Sequence, residues 1–157
     1  MSVALVKHKH LWLNCVVTSG TDAYARISEG YDSAGESKNP NVETHTFVGD
    51  SNAHHEVTGY DRQIALSGIR VKGDASQDWI KTKAGKVGVD CHTDLVVVTL
   101  DDGETSGSAM KYDVTISDNS EGGDGAAIET VDQTIYINGE GVSGTFNETT
   151  KTFTATA

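Results

Sequence analysis

The chain has 157 residues, of which 36% are hydrophobic and 22% charged, and its formal net charge is -11. That length buries a real core and predicts one domain spanning residues 1–157. The acidic balance lacks the basic stripe with which proteins grip phosphate backbones, which argues against a nucleic-acid-gripping function. The charge is uneven: residues 101–157 hold eleven acidic side chains against Lys111 and Lys151, while the first hundred hold twelve acidic and ten basic. Seventeen glycines against a single proline leave the turns to glycine and asparagine, and the Val-, Thr- and Ile-rich runs favour strands.

In chain order, Lys7–His10 interrupts the first apolar run, so no signal peptide is predicted and the chain is expected to fold in a reducing cytoplasm. No run reaches transmembrane length, and no membrane partner is expected. Leu11–Thr18 alternates as a strand with two usable faces, the Ser19–Asp22 cluster turns, and Tyr24–Ser28 is a short strand. The polar stretch Glu29–Asn41 reads as a long excursion, Val42–Val48 as a strand, and Gly49–Glu56 as a polar turn. Val57–Asp74 then reads as one long strand with mixed faces. Tyr60, Arg62, Ile64 and Leu66 point one way, and Gln63, Ala65, Ser67, Ile69 and Val71 the other.

Asp74 is placed to cap a helix over about 75–84, with Gln77 as its capping-box partner and Trp79 and Ile80 as its apolar anchor. This is the one helix the sequence supports. The LVVVTL run within Asp94–Leu100 suits a strand buried on both faces, and Asp101-Asp102-Gly103 a tight turn. Met110–Ser117 alternates cleanly, and Asp118–Ala126 reads as an acidic glycine-rich loop. Thr130–Asn138 is a strand and Gly139–Gly141 a turn, before a terminal hairpin that brings Phe146 to Phe153.

Several side-chain groups invite a chemical reading. His8, His10 and Cys15 lie close in sequence, but no second ligand pair accompanies them. His54 and His55 fall in a turn and suit a solvated loop tip. Cys91 and His92 are adjacent and would face opposite ways on a strand, which disfavours a nucleophile–base pair. Asp118, Ser120, Gly123 and Glu129 match positions of a calcium loop, yet Gly122 supplies no ligand at the fifth position. The two cysteines, Cys15 and Cys91, match no metal or redox spacing and are expected to be free buried thiols. No catalytic constellation is visible, so no enzyme activity, cofactor or metal is expected.

A pattern spread over nearly the whole chain resembles the major tail tube proteins of long-tailed, siphovirus-type bacteriophages. It runs through Asn39-Pro40-Asn41-Val42, Val57-Thr58-Gly59-Tyr60 with Ile64, Leu66, Ser67 and Gly68, Asp78-Trp79-Ile80, and Val87-Gly88 with Asp90. It continues in Thr93-Asp94 and closes with Gly144-Thr145-Phe146-Asn147 ahead of Lys151-Thr152-Phe153. The resemblance implies a mainly β fold, a β-sandwich or half-barrel with one short flanking helix. It further implies self-assembly into stacked hexameric rings forming a hollow tube in the virion, built in the bacterial host cytoplasm. The implied partners are copies of itself, a tape measure protein and a tail terminator, with DNA passing without sequence-specific binding. On this reading Tyr60, Arg62, Ile64, Leu66, Arg70 and Lys72 belong to a subunit or ring interface or to the lumen. The alternative is a monomeric β-sandwich binding module, such as a capsid decoration or carbohydrate-binding protein.

Overall fold

The computed structural model describes residues 3–16 and 20–156. Ten strands and one α-helix make up the described fold: β1 (Lys9–Asn14), β2 (Tyr24–Ile27), β3 (Tyr31–Ser37), β4 (Pro40–His45), β5 (His54–Tyr60), β6 (Gln63–Ile69), α1 (Ala75–Lys81), β7 (His92–Thr99), β8 (Ser106–Gly122), β9 (Thr130–Asn147) and β10 (Thr152–Ala155). Eight of the strands form one curved half-barrel sheet in the order β2-β1-β7-β8-β9-β6-β3, with β10 also on β9. All these pairings are antiparallel. Among the described residues, strands β4 and β5 pair only with each other, as a separate hairpin.

The β8–β9 hairpin is the spine of the sheet. At ~3.3 Å per residue its strands are each more than 50 Å long. The first half of β9 pairs with β6 (Ile64 opposite Ile135) and the last residues pair with β10 (Phe146 opposite Phe153). Between these halves the register of β8 on β9 jumps, from Asp113 opposite Asn138 to Lys111 opposite Val142. Gly139–Gly141 is therefore a bulge inside a continuous strand, not a turn between two strands. Gly139 has φ +66°, and a Cβ on Gly141 would stand 2.5 Å from the Tyr112 ring. The bulge lets the Tyr112 ring lie against bare backbone.

Strand alternation builds two cores. Leu11, Leu13, Ile64, Leu66, Leu95, Val114, Ile116 and Ile135 face the concave side with Trp79 and Ile80 of α1. Trp12, Tyr24, Val96, Val98, Leu100, Ala109 and Phe146 pack on the other face. This accounts for the unbroken apolar run of β7, whose successive side chains enter alternate cores. The turn between β9 and β10 closes over the second core, where the Glu148 carboxylate meets His10 and accepts from Trp12 Nε1 at 3.2 Å.

Helix α1 starts where the sequence places it. The Asp74 carboxylate accepts from Gln77 N–H at 3.0 Å and from the Ser76 hydroxyl at 2.6 Å. It is shorter than expected, ending at Lys81 with turns through Gly85. Gln77 does not reach back to complete a capping box. Its buried amide accepts from Val71 N–H and donates to the carbonyls of Glu29 and Ile69, tying the helix to the β2–β3 turn and to the end of β6. Trp79 donates from Nε1 to Val16 O at 3.0 Å.

Three other expectations change. Glu29–Asn41 is not an excursion: β3 lies within it, paired with β6 from Ser37 opposite Gln63 to Tyr31 opposite Gly68. The long strand over Val57–Asp74 is broken at Asp61-Arg62, so β5 leaves the sheet and only β6 belongs to it. The ladder of β8 extends through Asp118–Gly122, which puts Asp118 opposite Gln133 and Ser120 opposite Asp132, so the first part of the expected acidic loop over Asp118–Ala126 is strand. The end of the first strand, Val17 and Thr18, and Ser19 of the following turn lie outside the described residues.

Candidate subunit interface

Two features leave the half-barrel unfinished as an isolated body. Among the described residues the end strands β2 and β3 each have one neighbour in the sheet, so each presents an unpaired row of backbone groups. The β4–β5 hairpin forms an arm exposed along almost its whole length. Such a two-stranded ribbon is marginal in water by itself.

The register gives the arm two different faces. Val42 stands opposite Val57 and Thr44 opposite His55 on one face, while Glu43 opposite Glu56 and His45 opposite His54 share the other. Phe47 and Val48 lie in the connection at its end, 59% and 108% exposed, and Val42 and Val57 are each about half exposed. His54 and His55 begin β5, with His54 Nε2 lying 3.0 Å from Asp50 Oδ2 and His55 Nδ1 3.1 Å from the Thr44 hydroxyl.

The root of the arm is tied at both legs. Asn39, with φ +41°, turns the chain out of β3. Its backbone carbonyl accepts from Asp61 N–H at 3.2 Å, and its side-chain amide donates to Asp61 O at 3.0 Å. The Arg62 guanidinium donates to Glu36 Oε1 through Nε at 2.9 Å and Nη2 at 2.5 Å, and lies 4.9 Å from the Tyr112 ring centre. Lys9 of β1 donates to the other oxygen of Glu36 at 3.1 Å, so this carboxylate also draws β1 towards β3. Burial acts to raise the Glu36 pKa, but the hydrogen bonds and charges of Arg62 and Lys9 outweigh it and hold the carboxyl below its usual range.

The residues singled out from sequence separate into different environments. Tyr60 ends the arm and is 60% exposed; Arg62 lies at its root. Ile64 and Leu66 are 3% and 0% exposed inside the concave core, as are Trp79 and Ile80 at 8% and 0%. Arg70 pairs with Asp78 and donates to Gln77 Oε1 and Val71 O, fastening the end of β6 to α1. Lys72 is exposed in the turn before the helix. Glu36, Asn39 and Tyr112 complete the arm root, yet nothing in their sequence neighbourhood marks them as partners; only the β3–β6 and β7–β8–β9 registers bring them together.

The other sequence candidates do not converge. His10 and Trp12 share a face, and Cys15 belongs to the opposite core. Cys15 and Cys91 are both free and buried. Cross-strand register does bring Asp94 opposite Asp113, with Lys111 Nζ 3.7 Å from Asp94. Among the described residues no three His, Cys, Asp or Glu side chains gather as a metal site, and no helix is long and apolar enough to cross a membrane.

Neither a family model nor a curated protein matches the chain. Solved structures do. A chain from the tail of an empty GTA particle, computed with helical refinement in C6 symmetry, aligns over 99% of this chain and 100% of its own, with a TM-score of 0.59 and 15% identity. A chain from the anti-feeding prophage (AFP) baseplate, 6-fold symmetrised, aligns over 94% and 99%, with a TM-score of 0.52 and 8% identity. The half-barrel with its single helix and projecting arm is thus a fold of the tail-tube and baseplate type.

Proposed function

We propose that the chain is the structural subunit of a phage tail tube, assembling into hexameric rings that stack around a hollow lumen. The observation that carries this reading is the end-to-end alignment, with neither chain left over, to a component of a six-fold tail. The free edges of β2 and β3 fit side-by-side association within a ring, since pairing there satisfies their exposed backbone groups. The arm, with Tyr60 at its base and Val42, Val57, Phe47 and Val48 exposed, is the element that reaches the adjacent ring. Arg62 acts at its root, and Arg70 and Lys72 flank the helix-side surface of the wall.

In this reading a tape measure protein fills the tube before DNA, and a terminator caps it. The strongly acidic subunit favours free passage, because carboxylates lining a lumen repel phosphates. The site of action is the virion tail, assembled in the bacterial host cytoplasm. Negative-stain electron microscopy of the purified protein tests the proposal: six-fold rings or tubes are expected. A protein that sediments as a monomer at every concentration up to its solubility limit would overturn it.

A further inference from the structure

The arm's partner side is open, but its root is not. Four strands of the sheet contribute to the root, and the contacts converge on one guanidinium. Arg62 is the second of only two residues between β5 of the arm and β6 of the sheet. Its carbonyl accepts from Ile137 N–H of β9 at 3.0 Å, which fixes the backbone of the link. Its side chain reaches Glu36 on the neighbouring strand β3, three residues before Asn39 on the other leg. The guanidinium also lies against Tyr112 of β8 and donates to its hydroxyl at 3.4 Å. Tyr112 is in turn seated on the Gly139–Gly141 bulge of β9, where Gly141 leaves no room for a side chain.

We propose that Arg62 is the positioning residue of the arm, a clasp with Glu36 and Tyr112 that holds the β4–β5 hairpin at one fixed angle to the half-barrel. This deepens the tube reading and rests on it for its purpose: an arm held at one angle meets its neighbour without first losing orientational freedom. The chemistry suits the task. A planar guanidinium gives Glu36 two hydrogen bonds from one edge while its face packs on an aromatic ring, which an ammonium at the same place cannot do. The contact joins the two legs across the base, so loosening it frees the arm as a unit while the β4–β5 ladder itself stays paired.

Electron spin–spin distance measurement tests the clasp in the full chain. Labels go on Ser51→Cys near the end of the arm and Ser67→Cys on an exposed position of β6, since Cys15 and Cys91 are buried. Labelled protein is diluted with unlabelled, so that only distances within one subunit are read whether or not it assembles. The unmodified clasp gives a narrow distribution. Arg62→Ala is expected to broaden it at least twofold, Glu36→Gln to broaden it as well, and Arg62→Lys to fall between Arg62→Ala and the parent. Equal widths for the parent and Arg62→Ala, with the same β-sheet circular dichroism, would overturn the proposal. So would an Arg62→Lys protein as narrow as the parent, because the planar fork and its packing on the ring would then count for nothing. A clasp that behaves as expected in a protein that never forms rings would overturn the tube reading and leave the clasp standing. Tubes built from subunits whose arm width ignores residue 62 would do the reverse.

Discussion

Gln77 is 1% exposed and spends both ends of its amide on backbone groups. Replacing it with alanine removes the partner of Val71 N–H and of two carbonyls, so Gln77→Ala should cost about 2–4 kcal/mol, read as a lower urea midpoint at unchanged m-value. A loss below about 1 kcal/mol would mean that water takes its place. Cys15 is the second case: burial, and secondarily the charge of Asp74, push its thiol up to about 12. A thiol-reactive chromophore at pH 8 should therefore leave Cys15 unmodified in the native protein, and both cysteines should react once denaturant is added. The third concerns charge. The Asp94 carboxyl is pushed up, first by burial and then by its hydrogen bond to Asp113, with Lys111 and Asn14 acting in the opposite sense. A folded-state pKa above the unfolded one means that ionising Asp94 weakens the fold as pH rises through it. Removing the facing carboxylate with Asp113→Asn should stabilise the protein at pH 7 by up to ~1 kcal/mol, and the gain should shrink as the pH falls towards 4 and Asp94 takes up its proton. A gain that grows on acidification would show the pair to be stabilising.

At the scale of elements, what the sequence makes legible depends on which faces are buried. The valine run of β7, the Asp74 cap and the Phe146–Phe153 pairing are readable because each rests on side chains that meet protein. Strand β3 is obscure for the opposite reason: Asp32, Ser33, Gly35 and Glu36 give it the composition of a loop, and as an end strand it needs little apolar alternation. The acidic end of β8 is hidden in the same way, its ladder carried by backbone pairing with β9. The break at Asp61-Arg62 escapes notice because no glycine or proline marks it, and the alternation of Tyr60, Arg62 and Ile64 continues in step across it. The arm itself is visible as strand and turn, but its separation from the sheet is a fact of tertiary pairing. That separation has a measurable consequence. Replacing residues 41–59 by a short Gly-Ser link should leave the half-barrel folded with less than about 1 kcal/mol lost, because a ribbon paired only with itself adds little to the body it leaves. On the proposed tube reading, the same deletion should abolish stacking into tubes, seen by electron microscopy. A collapse of the fold would instead place the arm among the supports of its own sheet.

For the molecule as a whole, the dominant fact is the net charge of -11, held mostly by the last third of the chain. The β8–β9 spine and the turns that flank it carry this charge, and the spine is the part most engaged in its own sheet. Bringing like-charged subunits together opposes assembly, and the opposition is long-ranged at low salt, where the Debye length is about 30 Å at 0.01 M against about 8 Å at 0.15 M. One face of the arm and its end offer exposed apolar groups for association, namely Val42, Phe47, Val48, Val57 and Tyr60, and contacts of that kind do not weaken when salt screens charge. Assembly should therefore be promoted by added sodium chloride: light scattering at fixed protein concentration should rise faster at roughly 0.5 M salt than at roughly 0.02 M. The arm-deleted chain separates this effect from simple salting-out, since it loses only Glu43, Asp50 and Glu56, stays strongly acidic and should show no such rise. Tubes that dissolve on adding salt would reverse the assignment, putting ion pairs between subunits at the centre of the contact and the apolar arm at its margin.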